Sequence, residues 1–274
     1  MISCDETFQP AIASEEIDCP VCGGQKYKLQ YKALDYEYQL PGIFHISKCE
    51  GCGMVFQNPR PPFPEILHYY TESYEPFRTV GTFLMRRLRQ ALLENPRISR
   101  YRRLSRNFVG PVRVLDVGCG QGDLLATLAQ SNRFLCEGVE PVAIAVEIAR
   151  KRGLKIRCGT LENEKLERGA YNLIILNHVL EHVPDPNSIA KEIFQLLSKD
   201  GVLSGEVPCH QSLERFMFGP FWAGYHLPRH LSFFTPELLR RFLEKHGFVD
   251  IHISFQPQPS SWQGSVRNFL NSKG

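Results

Sequence analysis

The sequence predicts an α/β fold, a doubly wound and mainly parallel sheet preceded by a small cysteine-bound module. Three observations predict it. From about residue 111, short apolar runs alternate with amphipathic stretches punctuated by proline and glycine, the pattern of a parallel sheet with helices on both faces. The first of these runs ends in VLDVGCGQGDLL (114–125), an acid followed by three glycines spaced two apart. Four of the nine cysteines form two CxxC pairs, Cys19/Cys22 and Cys49/Cys52.

The elements follow in order. VRVLDV (112–117) reads as a buried strand and QGDLLATLAQ begins a helix. FLCEGVE (134–140) is the second strand; the helix after it has Pro141 at its first position and Gly153 at its end. LKIRCG gives a short third strand and YNLIILN (171–177) a fourth. DPNSIAKEIFQLLSKDG is a helix with Ile189, Ile193, Leu196 and Leu197 on one face, and VLSGEVP is strand five. TPELLRRFLEKHG has Thr235 as N-cap and Gly247 as stop, before GFVDIHISF as strand six. The remainder, residues 255–274, is a polar tail without a convincing strand.

Length and composition suit one α/β domain with an accessory module. The chain has 274 residues, 43% hydrophobic and 22% charged. A net charge of +3 does not by itself argue for a nucleic-acid or membrane partner. No apolar run approaches the roughly 18 residues of a membrane span, and the acidic start lacks the apolar core of a signal peptide. The cytoplasm is the expected location.

The first 18 residues are expected to be flexible and residues 19–57 to form a zinc ribbon. Each CxxC is followed by glycine, so both sulfurs can turn toward one centre, and 26 residues separate the pairs. Four thiolates suit tetrahedral Zn²⁺, which supplies folding energy that so short a segment lacks. A redox pair, or a ribbon that has lost its metal, are the other readings. Residues 58–110 are a connector whose second half carries eight arginines against one glutamate between 82 and 106. Leu84, Leu88, Leu92 and Leu93 recur at helical spacing there. A solvated helix, an anionic substrate, a membrane surface and RNA all fit that face.

A pyrophosphate at the glycine loop would face like-charge repulsion from Asp116, and G-C-G-Q-G misplaces the third glycine of the dinucleotide pattern. A ligand carrying a sulfonium and an ammonium reverses that sign. VLDVGCGQG resembles the first motif of class I S-adenosylmethionine-dependent methyltransferases. Glu140, CGTLEN after strand three and YNLIILNHVLEHVPDP add further matches, over residues 110–253. The resemblance implies a Rossmann-like methyltransferase fold over 111–254. It implies S-adenosylmethionine held by Asp116, Gly118, Cys119, Gly120, Gly122, Glu140, Pro141, Thr160, Leu161, Asn177 and His178.

Methyl transfer is an in-line displacement that needs alignment, exclusion of water and a proton acceptor. The 27 residues between strand five and the next N-cap (208–234) carry aromatics together with His210, His226, Arg229 and His230. A stretch of that length is expected to be functional. His226 or His230 is the expected general base. A ribbon ahead of such a domain is similar to bacterial enzymes acting on sugars, nucleotide-sugars or other cell-surface precursors. A small acceptor, anionic or sugar-containing, is therefore the expected partner. The alternatives are an rRNA or tRNA methyltransferase and a non-catalytic zinc-ribbon interaction protein.

Overall fold

The structure, a computed structural model, describes residues 13–70 and 95–273. Leu84, Leu88, Leu92 and Leu93, with most of the arginine-rich stretch, lie outside the described residues. In chain order the elements are β1 (Tyr27–Ala33), β2 (Phe44–Cys49), β3 (Val55–Gln57), α1 (Phe63–Ile66), α2 (Asn95–Leu104), β4 (Val112–Val117), α3 (Asp123–Leu128), β5 (Phe134–Glu140), α4 (Ala143–Lys151) and β6 (Ile156–Cys158). Then come β7 (Tyr171–Asn177), α5 (Pro186–Leu196), β8 (Leu197–Glu206), α6 (Leu213–Phe218), β9 (Ser232–Phe233), α7 (Pro236–Lys245) and α8 (Pro259–Asn271).

Contacts divide the chain into two compact units: Met1–Tyr70 with Glu181–Asn187 and Pro208–Gly274, and Thr71–Leu180 with Ser188–Val207. The second holds a five-stranded parallel sheet in the order β6-β5-β4-β7-β8. This is the doubly wound sheet expected, with β4 at its centre. Val112, Val114, Leu173 and Ile175 are fully buried there. They pack with Tyr101 of α2, Leu125 of α3 and Val146 and Ala149 of α4. Strands covered on both faces read as continuous apolar runs, which is why they stood out in the sequence.

The first unit is built on an antiparallel sheet in the order β1-β2-β3-β9. The ribbon strands thus gain a fourth member from far along the chain, with Val55 opposite Phe233 and Phe56 opposite Ser232. Its core is aromatic: Phe44, Tyr69, Trp222, Tyr225 and Phe233 pack with Ile46 and Val55. The 208–234 stretch is therefore folded onto the ribbon sheet through α6, two 3-10 turns and β9.

Two expectations need correction. No strand forms at 247–255, all of which are described. Asp250 has φ 51°, outside the extended region, so the apolar alternation around it cannot continue as a strand. The polar tail is instead the 13-residue helix α8, started by Pro259. Thr235 does cap α7, its side chain accepting from the Leu238 N–H at 3.2 Å.

Candidate functional site

The glycine loop leaves β4 with Gly118, Gly120 and Gly122 all at positive φ, +67°, +53° and +75°. At two of these a side chain would also collide. A Cβ at Gly118 would lie 2.5 Å from Val179 Cγ2, and one at Gly122 would lie 2.4 Å from Leu154 Cδ1. Cys119 serves the loop from below: a Cβ at Gly138 would come within 2.6 Å of its sulfur. The cysteine therefore seats the loop on β5.

Two acids meet this loop. Glu140, at the end of β5, accepts from Gly120 N–H at 2.8 Å and from Val142 N–H at 2.9 Å. Burial raises its pKa, while these two N–H groups oppose the rise. Each oxygen keeps a second acceptor site for a hydroxyl. Pro141 turns the chain between Glu140 and Val142, the residue before α4. Asp116 is 4% exposed and makes no hydrogen bond among the described residues. Burial, with the charge of Glu140 adding to it, pushes the pKa of Asp116 up to about 8. A carboxyl in that state gains most from an incoming cation.

The neighbouring strand end supplies a second unsatisfied group. Asn177 closes β7 and donates from Nδ2 to Tyr101 Oη at 2.9 Å, while its Oδ1 is buried without a partner. His178 follows at φ 54°, its N–H donating to the Glu206 carbonyl and its ring 3.8 Å from the Glu206 carboxylate. Glu206 also accepts from Arg100 at 2.9 Å. Past β6, Thr160 precedes a short 3-10 turn and Leu161 is buried at its start. An ammonium fits Asp116 and Asn177 Oδ1, ribose hydroxyls fit Glu140, and the bare glycine loop admits backbone contact. These residues suit S-adenosylmethionine. When bound, it supplies a methyl group on a sulfonium.

In the ribbon the four cysteines converge. Cys19 Sγ lies 3.5 Å from Cys52 Sγ and Cys22 Sγ 3.6 Å from Cys49 Sγ, with all four ligand atoms within 4.8 Å of one another. Four sulfurs about 2.3 Å from one tetrahedral ion lie roughly 3.8 Å apart, so the spacing fits Zn²⁺. Burial opposes ionisation of Cys49, but hydrogen bonds from the N–H groups of Cys52 and Gly51 and from the Cys22 and Cys19 thiols together lower its pKa to about 7.

The two candidate bases differ in their surroundings. His226 is engaged at both nitrogens: Nδ1 lies 2.5 Å from Glu37 Oε2, and Nε2 accepts from Arg229 Nε–H at 3.0 Å. Arg229 is fully buried, bound to Asp35 at 3.0 and 3.2 Å and stacked 4.6 Å from the Tyr38 ring centroid. His230 donates from Nδ1 to the Gly224 carbonyl at 2.8 Å, which makes Nε2 its basic nitrogen. Gln57 of β3 donates to the Pro228 and His230 carbonyls at 2.8 and 2.6 Å, so the ribbon sheet fixes the backbone of this stretch. His210 is packed away beside Tyr225, its Nε2 3.2 Å from the hydroxyl. Burial, then Arg215 and Lys48, lower its pKa to about 4.

Asp35, Glu37, Gln57, Tyr101 and Glu206 were not singled out in the sequence. Each reaches its partner across a long separation, 189 residues for Glu37 and His226. No local pattern marks such a pair.

A Rossmann-like sheet with an acid before the glycine loop and a second acid at the next strand end defines a class I S-adenosylmethionine-dependent methyltransferase domain. Residues 81–253 match the model of a family described as a methyltransferase domain, and the chain belongs to that family. Among curated proteins it is similar to a ubiquinone biosynthesis O-methyltransferase of Haemophilus ducreyi, 36% identical over 122 residues, 40% of this chain and 51% of that protein. One of the same description from Bordetella avium is 35% identical over 96 residues, 32% of this chain and 39% of that protein. The chain thus spans about half or less of these relatives. Among solved structures it is similar in fold to a Galdieria sulphuraria protein assigned as a sarcosine dimethylglycine methyltransferase. The TM-score is 0.52 at 14% identity, over 67% of this chain and 69% of that one. No helix among the described residues is long and apolar enough to cross a membrane.

Proposed function

We propose that the protein transfers a methyl group from S-adenosylmethionine to a hydroxyl oxygen of a small-molecule acceptor. The observation that carries this reading is Asp116: a buried carboxyl without a hydrogen bond among the described residues, set directly before a loop of left-handed glycines. The O-methyltransferase description of the relatives favours oxygen as the acceptor atom and a small molecule over RNA. Within that class, a sugar, nucleotide-sugar or other cell-surface precursor is our specific expectation, resting on the ribbon that precedes the domain.

Asp116 would bind the cationic amino-acid end of the donor and Glu140 its ribose. His230, with Nδ1 held by a carbonyl, would take the acceptor proton at Nε2. His226, held between Glu37 and Arg229, would position rather than react. Cys19, Cys22, Cys49 and Cys52 would hold a structural Zn²⁺ that stiffens the ribbon, and through Gln57 the backbone of His230. A labelled-methyl assay against separated pools of phenols, nucleotide-sugars, lipids and RNA tests the reading, with Asp116→Asn as blank. Label in a small-molecule pool, absent from the blank, supports it; label only in RNA overturns it.

A further inference from the structure

We propose that Glu181, His182 and His230 form a second metal site, one that takes a divalent transition-metal ion on two imidazoles and a carboxylate. One ligand atom from each lies within 4.8 Å of the other two. The two rings stand nearly perpendicular, 83°, with centroids 4.4 Å apart. Glu181 and His230 are 1% and 8% exposed, so the cluster is built into the protein rather than laid on its surface.

The tautomers suit a metal. His182 Nδ1 lies 3.0 Å from the Arg229 carbonyl and His230 Nδ1 lies 2.8 Å from the Gly224 carbonyl. A carbonyl only accepts, so His230 Nδ1 carries the proton and its Nε2 the electron pair; His182 Nδ1 also meets the Tyr70 hydroxyl at 3.0 Å, and either of its ring nitrogens could turn its electron pair to the ion. An imidazole anchored in this way is the usual arrangement of a metal-ligating histidine. His230 Nε2 stands 4.0 Å from Glu181 Oε1, beyond hydrogen-bond range. Ligands about 2.1 Å from a shared ion lie roughly 3–3.5 Å apart, so the side chains would draw together by roughly 0.5–1.8 Å to close the site. The backbone is preset: the Glu181 carbonyl accepts from Leu231 N–H at 2.7 Å and Ser232 N–H at 3.2 Å.

The charges also fit. Arg229 is matched by Asp35, and His226 Nε2 accepts from the Arg229 Nε–H. A Glu181 carboxylate would bring to the ion a negative charge that two neutral imidazoles do not. Two imidazoles and one carboxylate suit Zn²⁺, Co²⁺, Fe²⁺ or Mn²⁺ rather than Mg²⁺, and leave coordination positions open for an oxygen donor. The site rests on the acceptor-side reading above for its role: with the ion bound, His230 Nε2 would be a ligand rather than the base, and an acceptor hydroxyl on the ion would release its proton to solvent. Ion binding itself does not depend on that reading.

Cobalt titration of the full chain, after dialysis against a chelator, tests the site. Two equivalents of Co²⁺ are expected. One shows the near-ultraviolet charge transfer of cobalt thiolate; the other adds visible d–d bands without it. Glu181→Gln, and separately the double variant His182→Gln/His230→Gln, should lose the second equivalent and keep the thiolate band, which also reports that the ribbon has folded. Wild-type protein that binds cobalt only with thiolate signature, or variants that still bind the second equivalent, would overturn the proposal. Loss of methyl transfer with metal counts unchanged would count against it too, while leaving the proposed function standing.

Discussion

The loop after β4 and the histidine cluster of the ribbon-bearing unit are both rich in ionisable groups, and they are built in opposite ways. Around Arg229 the charges are paired or hydrogen-bonded: Asp35 with the guanidinium, Glu37 with His226 and Arg267, and Arg215 donating to two neutral tyrosine hydroxyls. At the loop, Asp116 faces the like charge of Glu140, and Asn177 Oδ1 has no hydrogen-bond partner among the described residues. Buried polar groups are normally satisfied, because leaving one unpaired costs about 1–3 kcal/mol. A buried pair of like charges set at a bare glycine loop is relieved by an incoming cation. A region that has cancelled its own charges is a scaffold, and it positions the few nitrogens it leaves basic.

Substitutions at each region should separate these roles. The largest effect is expected at Gly118→Ala, where the left-handed φ and the 2.5 Å approach to Val179 act together. It should destabilise the protein by about 2–4 kcal/mol in chemical denaturation, combining backbone strain and overpacking. Donor affinity should fall with it; a stable, fully binding alanine variant would contradict the loop geometry. Next comes the contrast between the two histidines. His230→Gln should lower kcat at least tenfold with donor affinity unchanged, about 1.4 kcal/mol in the barrier. His226→Gln should instead lower stability by about 1–2 kcal/mol, since it loses bonds to Glu37 and Arg229. Equal losses of kcat with equal stability in both variants would erase the distinction.

A further effect concerns pH. Asp116 in the folded, ligand-free protein has its pKa raised to about 8, well above its unfolded value near 3.9. The folded state therefore binds the extra proton between those values. This contribution to stability is complete below about pH 4 and is lost as pH rises toward 8. Asp116→Asn should flatten that dependence and stabilise the ligand-free protein above pH 8, while harming donor binding. Unfolding midpoints across pH 6–9 that run parallel in the two proteins would show that Asp116 is not the group responsible.

The same contrast explains what the sequence disclosed. The sheet, its order of helices and the donor-side residues from Asp116 to His178 lie in contiguous motifs, where apolar runs, glycines and acids carry their meaning locally. The cluster around Arg229 is assembled from segments up to 194 residues apart, and its partners Asp35 and Glu37 sit in the unremarkable stretch DYEY. Helix α8 escaped for a different reason. Its buried face is polar: Ser265 is fully buried, donating to Glu214 and accepting from Ala223 N–H, and Asn268 is 5% exposed. Trp262 and Phe269 meet Phe218 and Phe221 edge-on yet stay partly in solvent with Val266, so the apolar stripe that usually announces a helix is interrupted by the polar residues that are buried most deeply. The run FVDIHIS failed in the reverse sense, with apolar alternation interrupted by the left-handed Asp250.

Donor binding by equilibrium dialysis at pH 6 and pH 8.5, in the wild type and Asp116→Asn, tests the electrostatic basis of the site most directly. If Asp116 must ionise to meet the cationic donor, wild-type affinity should be at least tenfold weaker at pH 6 than at pH 8.5. The asparagine variant should bind at least tenfold more weakly than wild type at pH 8.5 and show little dependence on pH, as expected for loss of a charge-assisted bond worth about 1.5–3 kcal/mol. Wild-type-like affinity in the variant, or wild-type binding indifferent to pH, would contradict the assignment of Asp116 as the residue that makes this loop a site for S-adenosylmethionine.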